Sequence, residues 1–201
     1  MGAKKEARRG LSRAGRKRLA RLALAVCLAL LFPSEEFGQT VSEEYQLKAV
    51  YLGRIPSFVD WPTSAANTSK TAFQLCTLGD YRFGLRLAQE VGSETVGGRR
   101  IALRPARKEQ ELEGCEMIFF SRSEAARYEK LLEGQRGKNV LTVGETKGFL
   151  EAGGIVEFSF ENQKLRMEVN LVAARKANLK VDARLLALAK RVVTKPSTPG
   201  G

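Results

Sequence analysis

The sequence predicts an α/β fold: a single domain on a mixed, mostly parallel β-sheet with helices on both faces. Three observations predict it. Strand-length apolar runs alternate with segments of helical periodicity, the pattern of a parallel sheet covered by crossover helices. Near the end, runs 155–161 and 164–170 are separated only by Asn162-Gln163, a hairpin that makes the sheet mixed. Finally, 201 residues with 43% hydrophobic content suffice for one ordinary core plus extensions.

The elements follow in order along the chain. Ser42 caps a helix whose first turn holds Glu43 and Glu44, and Leu47, Val50, Tyr51 and Ile55 repeat at helical spacing. Pro56 ends or kinks that helix, and Phe58, Val59 and Trp61 form an aromatic exit before Pro62. A polar loop over 63–70 leads to a strand at 73–78, which stops at Gly79-Asp80. A helix over 83–91, a turn over 92–98 and a strand over 100–104 come next. A strand at 116–120 is followed by Ser121 and Glu124, spaced as a capping box that opens a helix to 133. A short buried strand at 140–143 precedes a turn-rich segment around Phe149-Leu150. After the hairpin, helices are expected over 171–177 and 182–192, the second with Leu185, Leu186, Leu188, Ala189 and Val192 apolar. The residues after 194 are rich in Pro and Gly and are expected to be loose.

The net charge of +12 invites a nucleic-acid reading, but its distribution argues otherwise. Residues 1–38 hold nine Lys/Arg against three acidic residues, half of the excess. The basic stretch ends at Arg21 and gives way to eleven uncharged, mostly apolar residues, 22–32, before Pro33 and Ser34-Glu35-Glu36. A positive segment, a short apolar segment and a polar end make a signal peptide. Eleven residues are too few for a spanning helix, which needs about 20. The expected organisation is a cleavable signal peptide over 1–39, one domain over 40–194 and a tail over 195–201, with a periplasmic location. The rival reading keeps the chain in the cytoplasm and binds nucleic acid through residues 1–21.

Of the three cysteines, Cys27 lies in the apolar segment and leaves with the signal. Cys76 and Cys115 remain as an even pair in an oxidising compartment, and a bridge between them would stabilise by about 4 kcal/mol. Two buried free thiols are the alternative.

Catalytic signatures are absent from the sequence. With no histidine, it lacks the usual base near neutral pH and the commonest metal ligand. Gly144-Glu145-Thr146-Lys147-Gly148 lacks the spacing of a phosphate loop, and two cysteines without histidine make a poor zinc site. No catalytic residue, metal or cofactor is assigned, and the expectation is a protein that is not an enzyme. Arg99, Arg100, Arg104, Arg107 and Lys108 form a basic cluster. Alternation places Arg100 and Arg104 on the solvent side of a strand, opposite Ile101 and Leu103, as a charged edge that resists pairing.

In open sheets of this kind, ligands sit beyond the carboxyl ends of the strands. Asp80, Ser121 and Glu145 each follow a strand and are candidate ligand-binding residues along one edge, with Trp61 as a further candidate and fluorescence reporter. The segment 153–175, with Arg166, Asn170 and Arg175 on its polar face, is the candidate partner surface.

From Glu44 to Val193 the chain resembles the YfiR-like family of periplasmic proteins. The resemblance rests on the order and spacing of several segments. They are Tyr45-Gln46-Leu47-Lys48-Ala49-Val50-Tyr51 with Phe58-Val59-Asp60-Trp61-Pro62; Leu75-Cys76-Thr77-Leu78-Gly79-Asp80; Cys115-Glu116-Met117-Ile118-Phe119-Phe120-Ser121; Leu141-Thr142-Val143-Gly144-Glu145 with Gly148-Phe149; and Gly153-Gly154-Ile155, then Val169-Asn170-Leu171 and Leu185-Leu186. The resemblance implies an α/β domain able to form a homodimer. It also implies repression: the protein binds the periplasmic sensor region of an inner-membrane signalling enzyme, foremost a diguanylate cyclase, and lowers cyclic-di-GMP synthesis. Cys76 and Cys115 match a structural disulfide of that family. A second cysteine pair expected around 148–155 is missing, so redox control does not carry over with the resemblance. Alternatives within the same frame are an accessory protein of a sensor histidine kinase and a periplasmic small-molecule-binding module.

Overall fold

The computed structural model describes residues 42–62 and 71–195. The expected signal peptide with Cys27, the polar loop 63–70 and the tail beyond 195 lie outside the described residues.

Helix α1 (Glu43–Arg54) begins after Ser42, as expected, although the Ser42 hydroxyl makes no capping bond. Pro56 sits in a 3-10 turn, Ile55–Phe58, that leads into β1 (Val59–Asp60). The chain then forms β2 (Ala72–Leu78), α2 (Arg86–Gly92), β3 (Thr95–Val96), β4 (Arg99–Ala106) and β5 (Met117–Phe120). It continues through α3 (Tyr128–Glu133), β6 (Leu141–Gly144), β7 (Val156–Glu161), β8 (Lys164–Asn170) and α4 (Leu171–Lys176). The last elements are β9 (Lys180–Val181), α5 (Ala183–Leu186) and β10 (Arg191–Val193).

Eight strands form one sheet in the order β10-β8-β7-β6-β5-β2-β4-β3. Strands β4, β2, β5, β6 and β7 are mutually parallel, β3 pairs antiparallel at one end, and β8 is antiparallel to β7. The expected mixed, mostly parallel sheet is therefore present. From β2 the chain crosses to β4 on one side, then returns to place β5 and β6 on the other, so β2 and β5 flank the point where the winding reverses.

Alternation within the strands builds a core on each face. Phe73, Leu75, Met117, Phe119, Leu141 and Val143 pack with Ala49 and Leu52 of α1 and Leu87 of α2. On the other face Cys76, Leu78, Ile118 and Phe120 pack with Tyr128, Leu131 and Leu132 of α3. The β7–β8 hairpin turns through Asn162 (φ 50°) and Gln163 (φ 59°), both left-handed, as a two-residue turn that follows the sheet twist requires.

Three local expectations need correction. The helix expected over 182–192 ends at Leu186, and Arg191–Val193 becomes β10, parallel to β8 with Val192 opposite Val169. Its apolar spacing suited a helix, but the open edge of β8 offered backbone partners, and pairing prevailed. The capping box at Ser121 and Glu124 does not form. Ser121 Oγ instead meets Ser123 Oγ at 2.7 Å, the Glu124 carboxylate accepts from Arg127 at 2.6 Å, and a 3-10 turn (Arg122–Arg127) precedes α3. The basic cluster is not wholly solvent-facing either. Arg99 grips Glu116 through two guanidinium bonds of 3.0 and 2.8 Å, while Arg100 and Arg104 do stay on the exposed side.

Candidate functional site at the carboxyl ends of the strands

Gly79 ends β2 with φ +96°, and a Cβ there would lie 2.3 Å from Ser121 Oγ and 2.4 Å from Ser123 Oγ. The absent side chain lets the segments after β2 and β5 close on each other. The Asp80 backbone N–H donates to Ser123 Oγ at 3.0 Å, joining the two carboxyl ends. The Asp80 carboxylate points to solvent and meets Arg82 at 3.7 Å. Ser121 is buried, and Tyr128 donates its phenolic hydrogen to the Ser121 carbonyl at 3.2 Å.

Glu145, just beyond β6, is the hub of this edge. Its side chain is fully enclosed. Oε1 accepts from the Tyr45 hydroxyl at 2.9 Å and from the Arg122 backbone N–H at 2.7 Å. Oε2 pairs with Nζ of Lys48, which is 1% exposed and also pairs with Glu44 one turn earlier. Arg122 closes the outer side, donating to Glu44 at 2.5 Å and lying 3.7 Å from Glu145 Oε2. Burial, reinforced by the Glu145 charge, drives the Tyr45 phenol far above its ordinary value, so it remains a donor at any physiological pH.

This arrangement joins α1 to the ends of β5 and β6 through paired charges. A buried carboxylate is tolerated when it is matched by an opposite charge and its oxygens are occupied by donors. Oε1 accepts two hydrogen bonds and Oε2 is bonded to the buried Lys48 ammonium, so the carboxylate is engaged in holding α1 to the strand ends. The geometry is that of a clamp. It occupies the edge where an open α/β sheet would receive a ligand.

The structure brings Ser121 and Glu145 together around Arg122 and sets Asp80 beside Ser123. Trp61 is elsewhere. Its indole packs edge-on against Phe73 at 5.0 Å and donates to the Pro56 carbonyl at 3.4 Å. Phe73 lies near the amino end of β2, about 17 Å of strand from the carboxyl edge. Trp61 is thus a half-buried residue packed against the core toward the opposite end. Lys48, Tyr45 and Arg122 escaped the sequence reading. The one available signal was a lysine at an inward position of an amphipathic helix, four residues after Glu44.

Of the partner-surface residues, Arg166 is exposed on β8 opposite Ser159, and Arg175 is exposed in the last turn of α4. Asn170 is half-buried and caps α4: its Oδ1 accepts from Ala173 N–H at 3.0 Å and its Nδ2 donates to the Leu150 carbonyl at 3.3 Å. Cys76 and Cys115 form a disulfide with a Cα–Cα distance of 6.0 Å. Arg104 places a guanidinium nitrogen 3.0 Å from Cys115 Sγ. Among the described residues no group of three or more His, Cys, Asp or Glu is arranged to hold a metal, and no helix is long and apolar enough to cross a membrane.

Residues 45–190 match the YfiR/HmsC-like family, DUF4154. The chain belongs to this family. The YfiR/HmsC-like match spans α1 through α5, including every residue of the Glu145 clamp except Glu44. Among solved structures, the chain is similar to a conserved domain protein from Vibrio cholerae O1 biovar eltor. The two are 12% identical, with a TM-score of 0.46, covering 59% of this chain and 54% of that one. It is also similar to an ABC domain in complex with L-Trp from Streptococcus pneumonia. The two are 8% identical, with a TM-score of 0.49, covering 75% and 60% of the respective chains. The chain thus spans less than two thirds of either structure's length. No curated protein matches it.

Proposed function

We propose that the domain is a periplasmic regulator that binds the periplasmic sensor region of an inner-membrane diguanylate cyclase and holds it inactive, lowering cyclic-di-GMP synthesis. Family membership over residues 45–190 carries this reading. The basic-then-apolar leader suits export, and the Cys76–Cys115 bridge suits an oxidising compartment. The engagement of Glu145 by Tyr45, Lys48 and the Arg122 backbone suits a structural role at that edge. Exposed Arg166 and Arg175 suit an acidic patch on a partner. An input signal would act through its different affinities for the bound and released states.

The test is deletion and re-expression in the native host, with cyclic-di-GMP measured in extracts and envelope proteins crosslinked to the tagged chain identified by mass spectrometry. Deletion should raise cyclic-di-GMP, re-expression should restore it, and a membrane diguanylate cyclase should be crosslinked. Unchanged cyclic-di-GMP together with a crosslinked sensor kinase would move the partner to the kinase class and overturn the cyclase assignment.

A further inference from the structure

A cavity of about 630 Å³ opens at the other end of the parallel strands, between the end of α3, the start of β6 and α4. Its volume falls within the range of small-molecule sites, about 300–1,000 Å³. Val140, Leu150, Ile155 and Val172 contribute apolar wall. Gln135, another wall residue, is 7% exposed, and its Oε1 has no hydrogen-bond partner among the described residues. The terminal torsion of a glutamine is broad, so this amide can turn toward an occupant at little cost.

The rim is cationic. Lys176 and Lys195 are both exposed and form no ion pair with a described residue, whereas the one acidic residue of the lining, Glu151, is held by Arg191 at 3.1 Å. A lysine in the last turn of a helix is favoured by the helix dipole, which accounts for Lys176. It does not account for Lys195, which follows β10 and reaches the same rim from a different element. Two unpaired cations over an apolar cavity are matched by a ligand with an apolar body and a negative group.

We propose that this cavity is a binding site for a small amphipathic anion. It is separate from the Glu145 clamp, and it stands or falls independently of the cyclase assignment. The anionic group lies between Lys176 and Lys195, and the apolar body lies against Val140, Ile155 and Val172.

Two probes sharing one apolar skeleton test it on the purified full-length chain at low ionic strength: 1-anilinonaphthalene-8-sulfonate, which is anionic, and N-phenyl-1-naphthylamine, which is neutral. The expected result is a saturable sulfonate site that disappears in Val172→Trp, a variant checked for an unchanged urea midpoint. In the Lys176→Glu/Lys195→Glu variant, sulfonate affinity should fall on the order of tenfold, with the neutral probe little affected. Both lysines are exposed, so this second variant keeps its fold. Sulfonate binding that survives Val172→Trp, or that ignores the charge reversal, would overturn the proposal.

Discussion

Lys48 and Glu145 show how much one contact can carry. Each is almost wholly buried, and each neutralises the other. Removing one partner of such a pair strands the remaining charge, at a cost of about 3–5 kcal/mol. Lys48→Ala should therefore lower the urea midpoint sharply, while the Lys48→Met/Glu145→Gln double variant should recover much of the loss. Equal losses in the two would show that shape, not charge, is what matters there. Glu157 behaves differently. Burial raises its carboxyl above the ordinary range, although it accepts backbone bonds from Phe149 and Leu150. A carboxyl with a raised folded-state pKa favours folding while protonated, and that contribution is lost as pH rises through the raised value. Glu157→Gln keeps an acceptor and removes the charge. Its stability gain over wild type should be larger at pH 7.5 than at pH 4.5, as read from urea midpoints at both.

Among the elements, α4 depends on its cap. The Asn170 side chain satisfies the Ala173 N–H and ties the helix start to Leu150. Asn170→Ala should cost about 1 kcal/mol in the same unfolding assay. A loss of partner crosslinking larger than that destabilisation explains would support a partner-contact role for Asn170. The junction after β2 is less tolerant. A Cβ at Gly79 would enter the space of two serine hydroxyls, on a backbone with φ +96°. Gly79→Ala should cost about 2 kcal/mol or more, since the strain and the clash arise together. These two elements also show where sequence reading succeeds. The strands at 72–78, 117–120 and 141–144 and the β7–β8 hairpin were legible because apolar runs and turn residues are local signals. β1, β3 and β9 are two residues long and carry no period to read. β10 reads as helix because its apolar spacing is ambiguous until β8 lies alongside it.

For the molecule as a whole, the disulfide joins β2 to the entry of β5 at the centre of the sheet, closing a separation of 39 residues. Cys76→Ser/Cys115→Ser should lose about 4 kcal/mol on the chain-entropy argument. Thiols in protein from the cell envelope should resist alkylation until reductant is added; ready alkylation without it would contradict an oxidised bridge. The two ends of the sheet are now distinct. The carboxyl edge carries the Glu145 clamp, and the cavity lies at the amino end of β6. Composition, local period and cysteine count were enough to specify an α/β domain, a mixed sheet, a central pair of cysteines and a chain without histidine chemistry. Those properties depend on neighbours in sequence or on residue type alone. The partnership of Lys48 with Glu145, 97 residues apart, the placement of Trp61 far from Asp80, and the cavity walled by α3, β6 and α4 arose only on folding. They depend on which segments the sheet order brings together, and no periodicity within a segment encodes that.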